Sequence, residues 1–157
     1  MIIPIVISTI LFGAIGFIDD YIKVVMKRNL GLRAWQKMAL QIIACAVLLF
    51  YVYSFTAVKF DMLVPFSALF SADAEDMYIN FGILTIPFLF LVIIGTVNGA
   101  NFTDGLDGLL SSVTLVICIF LGAVSNKLGV QITPAAGAMA GALAGFLLYN
   151  WHPARVF

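Results

Sequence analysis

Two adjacent carboxylates, Asp19 and Asp20, close an apolar run and are followed by Lys23. Acids this close repel each other and are costly at a membrane boundary unless a cation answers them. Such a pair suits magnesium or a phosphate-bound metal, because hard divalent cations take oxygen ligands. On a continuing helix Lys23 follows Asp19 by four residues and Asp20 by three, a face on which it pairs with either. A solvated helix end with one ion pair would account for a single acid more readily than for two. The second segment, Asn98-Gly99-Ala100-Asn101-Phe102-Thr103-Asp104-Gly105-Leu106-Asp107-Gly108, holds two amides, two carboxylates, a hydroxyl and three glycines. Asp104 can cap a following helix with Asp107 at its third position, where acids suit the positive end of the dipole. The other amides and glycines suit a loop whose backbone approaches a ligand. In the third segment, Asn150-Trp151-His152-Pro153-Ala154-Arg155-Val156-Phe157, Pro153 halts the helix. Trp, His and Arg also form ordinary interfacial belts, but His152 is the one histidine in the chain and its single neutral-pH acid/base candidate.

The elements that hold these segments follow from composition. The 157 residues are 63% hydrophobic and 10% charged, with a mean hydropathy of +1.12. Soluble domains average about 45–50% apolar and about 25% charged. Polar surface this scarce implies lipid as the outer solvent and excludes a soluble enzyme, a disordered tail and a nucleic-acid binder. Five uncharged stretches are long enough to cross a bilayer, at residues 1–18, 38–58, 77–97, 108–126 and about 134–151. The first lacks the basic start and small-residue cleavage site of a signal peptide. The expected fold is an all-α polytopic membrane protein, one transmembrane helical domain over residues 1–157 with five transmembrane helices. Outside the membrane, alternation around Val58–Val64 and Met77–Phe81 allows a short β-hairpin.

Charge sets the orientation. Lys23, Lys27, Arg28, Arg33 and Lys37 crowd the first connection, whereas Lys59 stands alone in the second with Asp61, Asp73, Glu75 and Asp76. Basic residues stay on the cytoplasmic side of short loops, so the first connection is cytoplasmic and alternation brings all three polar segments to that face. Pro87 is expected to kink the third span. Gly137, Gly141 and Gly145 align on one face of the last, where another backbone can approach. Cys45 and Cys118 lie in apolar runs as small hydrophobes.

With these segments laid out, the chain resembles the phospho-N-acetylmuramoyl-pentapeptide-transferases, within the polyprenyl-phosphate N-acetylhexosamine-1-phosphate transferase superfamily. Asp19-Asp20-Tyr21-Ile22-Lys23 with Lys27-Arg28-Asn29-Leu30-Gly31-Leu32 and Lys37 resembles the first cytoplasmic motif of that family. Asn101-Phe102-Thr103-Asp104-Gly105-Leu106-Asp107-Gly108 resembles the second, and Asn150 to Phe157 the start of the third. The family continues beyond that point into a Gly-Asp motif, so the chain resembles an internal portion of a longer transferase.

The resemblance implies transfer of phospho-MurNAc-pentapeptide from UDP-MurNAc-pentapeptide to undecaprenyl phosphate, forming lipid I and UMP at the cytoplasmic face of the bacterial inner membrane. It implies Mg2+ as cofactor with Asp19 and Asp20 as ligands, and Asp19, Asp20 and Asp104 as catalytic residues. Lys23, Lys37, Asn98, Asn101, Asp107, Asn150, His152 and Phe157 become substrate contacts, Asp107 for the uracil N–H and Phe157 for stacking on the base. Membrane lipid is a partner, and a homodimer is allowed. The rivals are a polyprenyl-phosphate N-acetylglucosamine-1-phosphate transferase and, from another class, an ion-coupled transporter. Transport sites usually lie near the bilayer midplane, whereas these acids stand at span ends.

Overall fold

The structure, a computed structural model, describes residues 2–27, 30–56, 61–64 and 78–156. Five helices are α1 (Ile2–Val24), α2 (Ala34–Phe55), α3 (Thr85–Thr103), α4 (Leu109–Leu128) and α5 (Thr133–Asn150). Two short strands, β1 (Asp61–Leu63) and β2 (Tyr78–Asn80), precede a single 3-10 turn at Gly82–Leu84. Helix dominates because hydrocarbon offers no partner to a backbone amide, so each span must satisfy its own.

Among the described residues, four stretches are long and apolar enough to cross a bilayer: Ile2–Val24, Ala34–Phe55, Gly82–Thr103 and Leu109–Leu128. The chain is a multi-pass membrane protein. The fifth expected span forms a helix, α5, but it is not among these four. Burial is correspondingly unlike that of a soluble domain. Among the described residues the buried polar set (Asp19, Gln41, Thr85, Ser111, Ser125 and Asn150) is larger than the apolar one, while most large hydrophobics face outward.

The chain folds as two compact units, Met1–Ala14 with Gly95–Phe157, and Ile15–Ile94. In the second unit, α1 continues past the expected end at Ile18, so Asp19, Asp20 and Lys23 are helical. It stops where the amides of Val25 and Met26 both turn onto the Tyr21 carbonyl and Lys27 takes φ 52°. Helix α2 starts at Ala34, four residues before the expected boundary, because the Gln36 side chain accepts the Arg33 amide at 3.0 Å. The expected hairpin is present and antiparallel, pairing Asp61 with Asn80, Met62 with Ile79 and Leu63 with Tyr78. Asn80 Nδ2 donates to Asp61 Oδ1 at 2.7 Å across it. Lys59, Asp73, Glu75, Asp76 and Arg28 lie outside the described residues. Pro87 falls in the first turn of α3, where its missing N–H has no intrahelical partner to lose, so the expected kink is replaced by a helix start.

In the first unit α4 and α5 form a helical hairpin. Gly129 ends α4 at φ 67°, with the Val130 amide reaching back to the Ser125 carbonyl, a left-handed cap. Ser125 Oγ and Thr133 Oγ1 meet at 2.7 Å across the turn, and Gly122 admits Ala136 alongside. The stripe Gly137, Gly141, Gly145 does not make this contact, since nothing lies within 4 Å of where their β-carbons would be. Cys45 and Cys118 are free and buried.

Candidate active site

Within the unit Ile15–Ile94, the last turns of α1 and the first turn of α2 meet around Asp19. Its carboxylate is 6% exposed and both oxygens are engaged. Oδ2 accepts Lys23 Nζ at 2.7 Å and Lys37 Nζ at 3.3 Å, and Oδ1 accepts the Leu32 amide at 2.9 Å. Asp20, one residue along, is 73% exposed and among the described residues pairs with Lys23 alone, with Oδ1 at 3.2 Å from Nζ. The helical advance of about 100° per residue turns one acid into the corner and its neighbour out to solvent. The adjacent acids of the sequence are therefore two different groups: Asp19 organises a cationic corner, and Asp20 keeps an oxygen available.

That difference decides how a metal would be held. Among the described residues no group of three His, Cys, Asp or Glu side chains is placed to bind one. Asp19 is a poor ligand, because a dication there would displace or face two ammonium groups already within 3.3 Å. Asp20 fits as a single oxygen ligand.

Within the other unit, the segment read as a loop from Asn98 to Gly108 is half helix. Asn98, Asn101 and Thr103 belong to the end of α3, and the Thr103 hydroxyl donates back to the Gly99 carbonyl at 2.9 Å. Asp104 does not cap α4. The cap is Gly108 at φ 72°, and its amide is accepted at 3.0 Å by Asn150 Oδ1. Asp104 is exposed, its side chain without a hydrogen-bond partner among the described residues.

Asn150, 4% exposed, also accepts Ser111 Oγ at 3.3 Å and donates through Nδ2 to the Val156 carbonyl at 2.9 Å. Expected as a substrate contact, it uses both ends of its amide to fasten the start of α4 to the chain after α5. Asp107 adds a second fastening, for its Oδ2 accepts the Ala154 amide and His152 Nδ1, each at 3.0 Å. The Ala154 amide and then the imidazole hold the Asp107 carboxyl below the usual carboxylate range. Asp107 Oδ1 has no partner among the described residues and stays open to a donor. His152 is 82% exposed. Phe157 lies outside the described residues.

Sequence reasoning missed Ser111 and the amides of Leu32, Gly108 and Ala154, since a main-chain donor carries no residue signature. An apolar cavity of about 580 Å³ also opens between α2 and the start of α3, lined by Leu49, Phe50, Tyr53, Ile83, Ile86 and Phe90. Thr85 Oγ1 beside it is buried and unpartnered among the described residues.

Apolar helices long enough to cross a bilayer, with carboxylates and ammonium groups at their polar ends, define the class as a multi-pass membrane protein. The sequence profile of glycosyl transferase family 4 matches residues 2–157, and the chain belongs to that family. It is similar to the phospho-N-acetylmuramoyl-pentapeptide-transferase of Clostridioides difficile strain 630, 41% identical over 93% of this chain and 44% of the relative. The proteins of that name from Clostridium botulinum Eklund 17B and Carboxydothermus hydrogenoformans are each 42% identical over 96% of the chain, covering 44% and 46% of their own lengths. The chain thus spans less than half the length of these relatives.

Proposed function

We propose that this chain forms part of an enzyme that transfers phospho-MurNAc-pentapeptide from UDP-MurNAc-pentapeptide to undecaprenyl phosphate, giving lipid I and UMP. The carrying observation is the identity of 41–42% over nearly the whole chain to proteins of that name. An oxygen of the lipid phosphate attacks the sugar-linked phosphorus of the donor, the bond to UMP breaks, and UMP leaves with the electron pair. Acceptor and donor are both anionic, so the chain must offset charge before they meet. Lys23 and Lys37 supply that at the first corner. Asp20, exposed and holding an open oxygen, is the acid that orients or deprotonates the lipid phosphate.

Magnesium, when bound, would neutralise the diphosphate and stabilise charge on the departing phosphate, with Asp20 as the contribution of this corner to its shell. Asp104 and the open oxygen of Asp107 serve the donor, the latter accepting the uracil N–H. Helix α5 is the fifth span, and the Lys/Arg-rich connection faces the cytoplasm, where a soluble nucleotide sugar arrives.

The test uses the full-length protein that carries this segment. UMP release with polyprenyl phosphate and magnesium is expected with the muramoyl-pentapeptide donor and not with UDP-N-acetylglucosamine. Asp20→Asn is expected to lower it by about a hundredfold or more without lowering the melting temperature. Turnover close to wild type in that variant would defeat the assignment.

A further inference from the structure

The corner around Asp19 contains a contact that catalysis alone does not require. Gly31 lies directly against it at φ +58°. A β-carbon at that position would come to 2.5 Å from Asp19 Oδ1, 2.8 Å from Lys23 Cε and 3.1 Å from the Asp19 carbonyl oxygen. The first two distances are impossible for real atoms, and the crowded groups are a carboxylate already held by three donors and the stem of one of those donors. Next along the chain, the Leu32 amide donates to the same Oδ1. The main chain at Gly31 and Leu32 is thus pressed onto Asp19, and only a residue without a side chain fits at Gly31.

Two consequences follow. The Leu32 amide fixes one end of the Asp19 carboxylate, so the other oxygen, Oδ2, has one direction in which to point. Into that direction come Lys23 from α1 and Lys37 from α2, two long side chains that lose much rotamer freedom when held. A buried carboxylate with both oxygens filled is badly placed to take a proton from substrate or to bind metal, yet well placed to hold two ammonium groups close together.

We propose that Asp19 and Gly31 form a positioning latch: the carboxylate, locked by the Leu32 amide over a side-chain-free Gly31, sets Lys23 and Lys37 to receive the phosphate of the lipid acceptor. Neither Asp19 nor Gly31 touches substrate. This rests on the transferase reading above and divides the labour of the acid pair, Asp19 positioning the cations and Asp20 meeting the phosphate.

The latch makes a kinetic forecast different from that of a catalytic acid. In the full-length protein, Gly31→Ala is expected to raise the KM for polyprenyl phosphate about tenfold while kcat and the donor KM change less than about threefold. Gly31→Asn is expected to do the same, because asparagine tolerates positive φ but still carries the intruding β-carbon. If the obstruction is the Asp19 carboxylate, the two residues must be coupled. Asp19→Ala should raise the acceptor KM by itself, and adding Gly31→Ala to it should change that value less than twofold. The double variant has lost the closest of these contacts, that with Asp19 Oδ1, so it reads the coupling where Gly31→Ala by itself fails to fold. Independent, multiplying effects of the two substitutions, or a Gly31→Ala enzyme with an unchanged acceptor KM, would overturn the latch while leaving the transferase reading intact. A wild-type protein that releases no UMP would overturn that reading, and the purpose given to the latch with it.

Discussion

The α1–α2 corner and the α4–α5 corner are built on one plan with opposite chemistry. Each has a buried polar residue, Asp19 in one and Asn150 in the other. Each sets that side chain against a glycine of positive φ, Gly31 or Gly108, and each leaves an exposed acid nearby, Asp20 or Asp104. The first hub is charged and holds two ammonium groups; the second is a neutral amide that holds a main-chain donor, a hydroxyl and a carbonyl. A buried charge must be paired, so the first hub fixes where cations stand. A neutral amide has both a donor and an acceptor end, so the second can only shape the chain around it.

The largest difference should appear on removing the hubs. Asp19→Ala removes the buried carboxylate that pairs with both Lys23 and Lys37, and is expected to destabilise the protein by about 3 kcal/mol, measured by thermal melting in detergent. Asn150→Ala strands neutral groups instead and should cost about 2 kcal/mol. If the two losses were equal, the contrast between a charged and a neutral hub would have no energetic content.

Acid provides the next test. Asp107 has its carboxyl held below the ordinary range by the Ala154 amide and His152, so its contribution is present above about pH 4, the unfolded carboxylate value. It is lost as pH falls through the lower folded value. Hydrogen exchange at the Ala154 amide is therefore expected to quicken below about pH 4 in the wild type, whereas Asp107→Asn should flatten that response. The smallest effect belongs away from both corners. Ser125→Ala removes the 2.7 Å contact to Thr133 and should cost only about 0.6 kcal/mol, typical of a hydrogen bond between membrane helices. A loss as large as that of Asn150→Ala would show that the helical hairpin, and not the polar corner, governs this unit.

Much of the fold was legible because its determinants are local. Uncharged runs marked the helices, since length and hydropathy are read residue by residue, and period-2 alternation found the hairpin, although α5 is not among the four stretches long and apolar enough to cross a bilayer. Boundaries shifted where one side chain intervened, as when Gln36 began α2 early. The capping assigned to Asp104 failed because Gly108, in a left-handed conformation supported by a side chain 42 positions away, starts α4 instead.

By itself, the sequence determined that lipid is the solvent, where helices run, and which polar segments interrupt them, for these follow from composition and from spacing along one dimension. It presented Asp19 and Asp20 as equals. Only the tertiary structure set them apart, because their environments are made by the Leu32 amide 13 residues on and the Lys37 ammonium 18 residues on. The charge of a carboxylate is written in its residue type, but whether it is buried and paired depends on what the fold brings beside it.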